Sequence, residues 1–192
     1  MAKVPENQLT DSMIAYQSGK IEAFDALYKH LQPALFQYLL YKTLNPTLSE
    51  DLLQESFLQL HRSRRTYLPG KPVLPWALAI ARNVYLMEGR SRRRRERFET
   101  NEPSSLPEAA TTGEFELMAG RETVRRALSQ ITSDQREIVL MHHVWGLNFR
   151  EIAGVLGILR TTAKLRAHRA IKALRKILGA SNVTKEPQEQ IK

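Results

Sequence analysis

Apolar positions recur along this chain at intervals of three and four, the spacing that places them on one face of an α-helix, and no stretch alternates as a half-buried strand does. The pattern predicts an all-α protein of two small helical domains. The first spans 9–97. It opens with a short helix near Asp11–Gln17 and a longer one from Ile21 to about Leu44, which Pro33 is placed to kink. Ser49 stands as the N-cap of a helix that begins on Glu50 and Asp51, acidic residues where the helix dipole favours them. On that helix Leu52, Leu53, Phe57 and Leu60 face a core, and Asp51, Glu55, Leu58 and Arg62 line the other side. A Pro- and Gly-rich loop around Leu68–Leu74 leads to Pro75 in the first turn of a further helix, Trp76 to about Arg95.

Residues 98–120 break this periodicity with Asn101, Pro103, Ser104, Ser105, Pro107, Thr111, Thr112 and Gly113, a composition that packs no core and predicts a flexible linker. Periodicity resumes in a second domain, 121–179, with helices over Glu122–Ile131 and Asp134–Trp145, the latter capped by Thr132 or Ser133. Residues 180–192 read as a disordered tail.

The stretch NFREIAGVLGILRTTAKLRAHRA, 148–170, carries the sharpest signal: two short helices joined by a turn. Asn148 and Glu151 stand in capping-box register, and Phe149, Ile152, Ala153 and Leu156 form the apolar stripe. Gly157 supplies the positive φ of the turn, Ala153 is small where the next helix crosses, and Ile158 fills the space between. The second helix runs from about Thr161 to Leu178, with Ala163, Ala167, Ala170, Ile171, Leu174 and Leu178 inward. Outward lie Thr161, Thr162, Leu165, His168, Arg169 and Lys172, as a helix that enters the major groove requires. The plainer alternative is an amphipathic helix pair with a solvated basic face.

Charge favours the DNA-binding reading. The 192 residues carry a formal net charge of +9, which suits a polyanionic partner. One basic block is Arg90, Arg92, Arg93, Arg94, Arg95 and Arg97; the other runs from Arg160 to Lys176. Between Arg97 and Arg121 there is no basic residue, but Glu99, Glu102, Glu108, Glu114 and Glu116 make the linker acidic. Cys is absent, which excludes disulfides and thiolate metal sites, and His30, His61, His142, His143 and His168 lack metal-ligand spacing. No metal or other cofactor is expected. Neither paired carboxylates with a His, nor a Gly-rich phosphate loop, nor a nucleophile motif points to an enzyme or a small-molecule substrate. No apolar run reaches the roughly 20 residues of a membrane span, and the N-terminus is unlike a signal peptide, so membrane insertion is not expected and the cytoplasm is.

The segment DLLQESFLQLHRSRRTYLPGKPVLPWALAIARNVYLMEGRSRRRR resembles the most characteristic part of bacterial sigma factors, and ALSQITSDQREIVLMHHVWGLNFREIAGVLG resembles their C-terminal helix-turn-helix domain. With two domains and a short linker, the chain is similar to the extracytoplasmic-function class. The resemblance implies a transcription initiation factor that brings core RNA polymerase to promoter DNA. Asp51, Gln54, Glu55 and Leu58 would then bind the polymerase clamp helices. Arg64, Arg65, Tyr67, Lys71, Trp76, Arg82, Asn83, Arg90, Arg92 and Arg93 would open and read the minus-ten element, since strand opening needs stacking surfaces and cations along the backbone. Trp76 is equally placed to join the core. Arg160, Thr161, Thr162, Lys164, Leu165, Arg166, His168, Arg169 and Lys172 would read the minus-thirty-five element. An anti-sigma factor is a common further partner in the family, and the linker there threads toward the RNA path of the polymerase. Members usually enter the recognition helix through a Pro-x-Gly-Thr-Val-like sequence; here Leu159-Arg160-Thr161-Thr162-Ala163 replaces it, which leaves the entry angle and the sequence read open. The second domain alone also resembles DNA-binding domains of response regulators, so a stand-alone helix-turn-helix regulator that binds operators as a dimer is the alternative.

Overall fold

A computed structural model of the protein describes residues 6–99 and 127–183, and every regular element among them is helical. The chain divides into two compact units between residues 112 and 113. The first contains α1 (Glu6–Gln17), α2 (Ala23–Thr43), α3 (Pro46–Ser63), a 3₁₀ turn (Arg64–Thr66) and α4 (Val73–Glu99). The second contains α5 (Ser133–His143), α6 (Phe149–Leu156) and α7 (Arg160–Val183), preceded by a helical turn at 127–129. Most of the expected linker, the start of the helix expected from Glu122 and the end of the tail lie outside the described residues.

The first unit is built around α2. Leu27, Leu31, Leu35, Tyr38 and Leu39 recur at three- and four-residue spacing and are fully buried, and α1, α3 and α4 all pack against this helix. Met13 and Tyr16 come from α1, Leu52, Leu53, Phe57 and Leu60 from α3, and Val73, Ala77, Leu78 and Ala81 from α4. Each such aliphatic side chain contributes on the order of 1.5–3 kcal/mol by leaving water. α2 remains one helix through Pro33 and ends on Leu44, whose φ of 53° is left-handed although the residue is not Gly.

The cap of α3 differs from the expectation. Asn45, not Ser49, is the N-cap: its side-chain oxygen accepts from the Leu48 N–H at 3.1 Å, and Pro46 occupies the first helical turn, where its missing N–H costs nothing. Ser49 is buried within the helix, with its hydroxyl donating to the Asn45 carbonyl at 2.7 Å and meeting Thr43 Oγ1 at 2.7 Å. The Asn-Pro pair allows the helix to start four residues earlier than the acidic turn suggested. α1 likewise begins earlier, at Glu6, and α4 runs past the expected domain edge to Glu99.

In the second unit the capping box predicted at Asn148 forms, and the N-cap expected at Thr132 or Ser133 is Thr132, which closes a capping box with Gln135. Thr132 accepts from the Gln135 N–H while the Gln135 side chain accepts from the Thr132 N–H, and Asn148 and Glu151 do the same at α6. Gly157 takes φ 66°, and the Ala153 carbonyl accepts from Ile158 N–H at 3.1 Å across the turn. No Cβ would meet a neighbour at Gly157, so the backbone angle alone calls for Gly there. α7 starts one residue before the expected Thr161 and continues through Gly179 to Val183 instead of ending at Leu178.

If Asn45 is the cap, Asn45→Ala should destabilise the protein by about 1 kcal/mol in urea denaturation. Glu50→Ala, at an exposed position well inside the helix, should stay within about 0.5 kcal/mol of the parent. The reverse ranking would return the helix start to Ser49.

Candidate polymerase and nucleic-acid interfaces

α3 turns one face to the core and leaves Asp51, Gln54, Glu55 and Leu58 exposed, Leu58 at 52%. These four residues form a ridge between two grooves. Gln54 and Leu58 border an apolar groove floored by Tyr16, Phe24, Tyr28 and Phe57, whose rings meet at centroid distances of 4.6–6.3 Å. Asp51 and Glu55 border a more polar groove whose far wall is α4, with Asn83, Met87, Arg90 and Arg95. Glu55 holds Arg62 at 3.5 Å, an exposed ion pair that costs little to exchange for another partner.

The loop after α3 is tightly built. Thr66 Oγ1 donates to the Ser63 carbonyl at 2.7 Å, and Lys71 N–H closes a turn onto the Leu68 carbonyl at 3.2 Å through Pro69 and Gly70, the latter at φ 81°. Pro then Gly at the two central positions is what this turn geometry demands. Arg65 and Lys71 are exposed on it, and so is Leu68, at 66%.

Tyr67 does not serve as expected. It is 2% exposed, its hydroxyl donates to the Lys71 carbonyl, and its ring packs edge-on against Trp76 at 5.4 Å. A base cannot stack on a ring already enclosed, so Tyr67 pins the loop from inside. Trp76 is half-buried in the same pair and has joined the wall of the core. Arg64 is held back as well: its guanidinium donates to the His61 carbonyl at 2.8 Å, lies 3.2 Å from His61 Nε2, and sits 5.9 Å from the centroid of the Tyr16 ring. A guanidinium only donates, so Nε2 accepts, His61 carries its proton on Nδ1, and Tyr16 Oη accepts it. Burial pushes the Tyr16 phenol above its ordinary pKa, with Arg64 pulling the other way.

On α4, Arg82 is half-buried, and Asn83, Arg90, Arg92 and Arg93 are exposed. Met87, one turn from Asn83, is 66% exposed, so this face turns to solvent beyond Ile80.

In the second unit, Ala163, Ala167 and Ala170 are buried and the opposite face of α7 is open. Arg160, Thr161, Lys164, Leu165, His168, Arg169 and Lys172 are exposed and Thr162 is half-buried. Arg166 departs from the group: its guanidinium bridges to Asp134 Oδ2 at 3.0 Å and ties α7 to the first turn of α5. His142 is structural, donating from Nδ1 to the Leu147 carbonyl at 2.8 Å and stacking on Phe149 at 4.8 Å. Among the described residues no group of His, Cys, Asp or Glu is arranged to hold a metal, and no helix is long and apolar enough to cross a membrane.

The family model for sigma-70 region 2 matches residues 27–95, and that for sigma-70 region 4 matches 121–174. The chain is 34% identical over 167 residues to the RNA polymerase sigma factor CarQ of Myxococcus xanthus, an alignment that covers 87% of this chain and 95% of CarQ. The protein belongs to the ECF class of RNA polymerase sigma factors. It is also 30% identical over 161 residues to the ECF sigma factor SigL of Mycobacterium tuberculosis, covering 83% of this chain and 91% of SigL. In fold it is similar to the sigma factor RpoE of Bartonella quintana in complex with the anti-sigma factor NepR (TM-score 0.62, 23% identity, 81% of this chain and 96% of that one). It is similar too to CnrH in complex with the cytosolic domain of CnrY (TM-score 0.64, 22% identity, 90% and 98%). A sigma factor that directs RNA polymerase accounts for both units at once. The alternative of a stand-alone operator-binding regulator gives the region 2 match no role.

Several residues with a place at these surfaces had no signal in the sequence pattern. Tyr16, Phe24 and Tyr28 sit at ordinary helical spacing, and only the packing of α1 and α2 against α3 gathers them beside Leu58. Leu68 and Met87 are both apolar and 66% exposed, which apolarity alone does not signal.

Truncating Tyr67 to Ala should destabilise the first unit by about 3–5 kcal/mol in thermal or urea unfolding, the range for large buried aromatic groups. Unchanged stability with altered minus-ten preference would restore it to the DNA surface.

Proposed function

We propose that the outward ridge of α3, Asp51, Gln54, Glu55 and Leu58, docks on core RNA polymerase, that the loop from Arg64 to Lys71 with the exposed face of α4 opens and reads the minus-ten element, and that α7 reads the minus-thirty-five element. The observation that carries the reading is the exposure of an apolar residue, Leu58, amid carboxylates on a helix whose other face is entirely buried. A Leu so placed between two grooves is suited to anchor a partner, with the acidic neighbours selecting a basic one. The protein then acts by binding and catalyses nothing itself. It works in the cytoplasm, associated with the nucleoid when in holoenzyme, and an anti-sigma factor is its natural restraint, as RpoE is described in complex with one.

Within the minus-ten group, Arg65, Lys71, Asn83, Arg90, Arg92 and Arg93 are the exposed residues that meet DNA, and Arg64 and Trp76 act from behind them. On α7, Lys164, Leu165, His168 and Arg169 face the major groove, and Arg160, Lys172 and Arg175 lie toward the phosphates. Arg166 has a competing task in its bridge to Asp134.

Leu58→Ala combined with Glu55→Gln should abolish capture of core polymerase in a pull-down while helical content and melting stay as in the parent. Assembly at the parent's affinity would defeat the docking assignment. On α7, Arg169→Ala should change which minus-thirty-five bases are preferred, at about 1–3 kcal/mol, whereas Lys172→Ala should weaken all sequences alike and flatten the salt dependence. Base preferences identical in both variants and the parent would refute this division of the helix face.

A further inference from the structure

The loop that follows α3 receives support from a part of the chain nearly fifty residues upstream. Gln17, the last residue of α1, directs its side-chain amide at two backbone carbonyls of the loop: Nε2 lies 2.9 Å from the Tyr67 oxygen and 3.3 Å from the Arg65 oxygen. Its neighbour Tyr16 meets His61 Nδ1 through its hydroxyl and lies under the Arg64 guanidinium. Two consecutive residues of α1 thus fasten the end of α3 and the 3₁₀ turn after it.

Within the loop itself, local hydrogen bonds tie the backbone as well. Tyr67 N–H reaches the Arg64 carbonyl at 3.4 Å, a long hydrogen bond, and the Leu68–Lys71 turn is the next one along. The Gln17 amide reaches backbone, not side chains, so it sets the path of the loop whatever side chains the loop displays. Those side chains are the exposed cations Arg65 and Lys71, with Leu68 between them. A loop whose path is set beforehand captures an unstacked base without the cost of ordering itself at that moment.

We propose that Gln17 is a positioning residue for promoter opening: from the end of α1 it holds the Arg65 and Tyr67 carbonyls, and so fixes where Arg65 and Lys71 meet the separating strands. This rests on the reading of the loop as the strand-opening element. Gln17 itself does not touch DNA. Tyr16 assists by keeping Arg64 and His61 turned toward α1, which leaves Arg65 as the outward cation of the pair.

The test uses reconstituted holoenzyme and a promoter that it transcribes, with Gln17→Met as the variant, which keeps the length of the side chain and removes the donor. Assembly with core polymerase, binding to duplex promoter and thermal melting are measured beside the rate of strand opening, followed by 2-aminopurine fluorescence in the minus-ten element. Gln17→Met should open the promoter roughly three- to ten-fold more slowly, the effect on a rate of losing the 2.9 Å hydrogen bond to Tyr67, the shorter of the two, with assembly and duplex binding unchanged. In a double-mutant cycle with Arg65→Ala, the two effects should be less than additive, since Gln17 acts through the segment that bears Arg65. Equal losses in assembly, duplex binding and opening, in step with a lower melting temperature, would mark Gln17 as a general tie and overturn the proposal. If Arg65→Ala and Lys71→Ala slow opening but Gln17→Met does not, the positioning role fails and the loop assignment stands. If none of the three slows opening, the loop assignment itself is wrong and the role of Gln17 falls with it.

Discussion

Burial of one continuous stripe on α2 is the constraint on which the first unit depends. Leu27, Leu31, Leu35, Tyr38 and Leu39 present a surface that α1, α3 and α4 must all cover, and covering it fixes the rotation of each of those helices about its own axis. The outward face of α3 is thereby determined by its inward one: with Leu52, Leu53, Phe57 and Leu60 committed to the core, Asp51, Gln54, Glu55 and Leu58 have only one direction left. A partner that docks on this ridge meets residues held in place by some twenty side chains' worth of close packing that it never contacts.

The same logic explains which parts of the protein were legible in the chain. Faces of helices were, because a period of 3.6 residues reports the angle of each position directly: the two faces of α3 fall where that angle puts them, as do the buried alanines of α7, while Ile171, Leu174 and Leu178, expected inward, are half-buried. The capping box at Asn148 was legible for a similar reason, since both partners lie within one turn, whereas the cap of α5 was narrowed only to Thr132 or Ser133. The start of α3 was not, because two rules competed: Ser49 ahead of Glu50 and Asp51 is one cap signature, Asn45 ahead of Pro46 another, and the burial of Ser49 decides between them.

Tyr67 marks the limit of reading a family resemblance onto single side chains. An aromatic residue in a loop flanked by Arg65 and Lys71 has the composition of a base-stacking platform, and nothing local distinguishes that use from a peg in the core. The distinction is made by Trp76, nine residues on, and by the Lys71 carbonyl, whose positions depend on how α4 returns to the bundle. Arg64 is a parallel case, drawn inward by His61 and Tyr16. Tertiary partners, not residue type, divide this basic loop into groups that hold it and groups that are shown to solvent.

The inward face of α7 consists of alanines where it crosses the rest of its unit, at 163, 167 and 170. These positions are buried, and a larger side chain forced into a well-packed core costs about 1–3 kcal/mol. Across the helix, an exposed residue can be exchanged for almost any other within about 0.5 kcal/mol. If α7 reads DNA as proposed, stability and sequence preference are inherited on opposite sides of one helix. Under the proposed reading of α7, a descendant of this protein acquires a new set of promoters by single steps at the exposed Leu165, His168 or Arg169, and the breadth of regulons such a scaffold can serve is set by how little those side chains are asked to hold together.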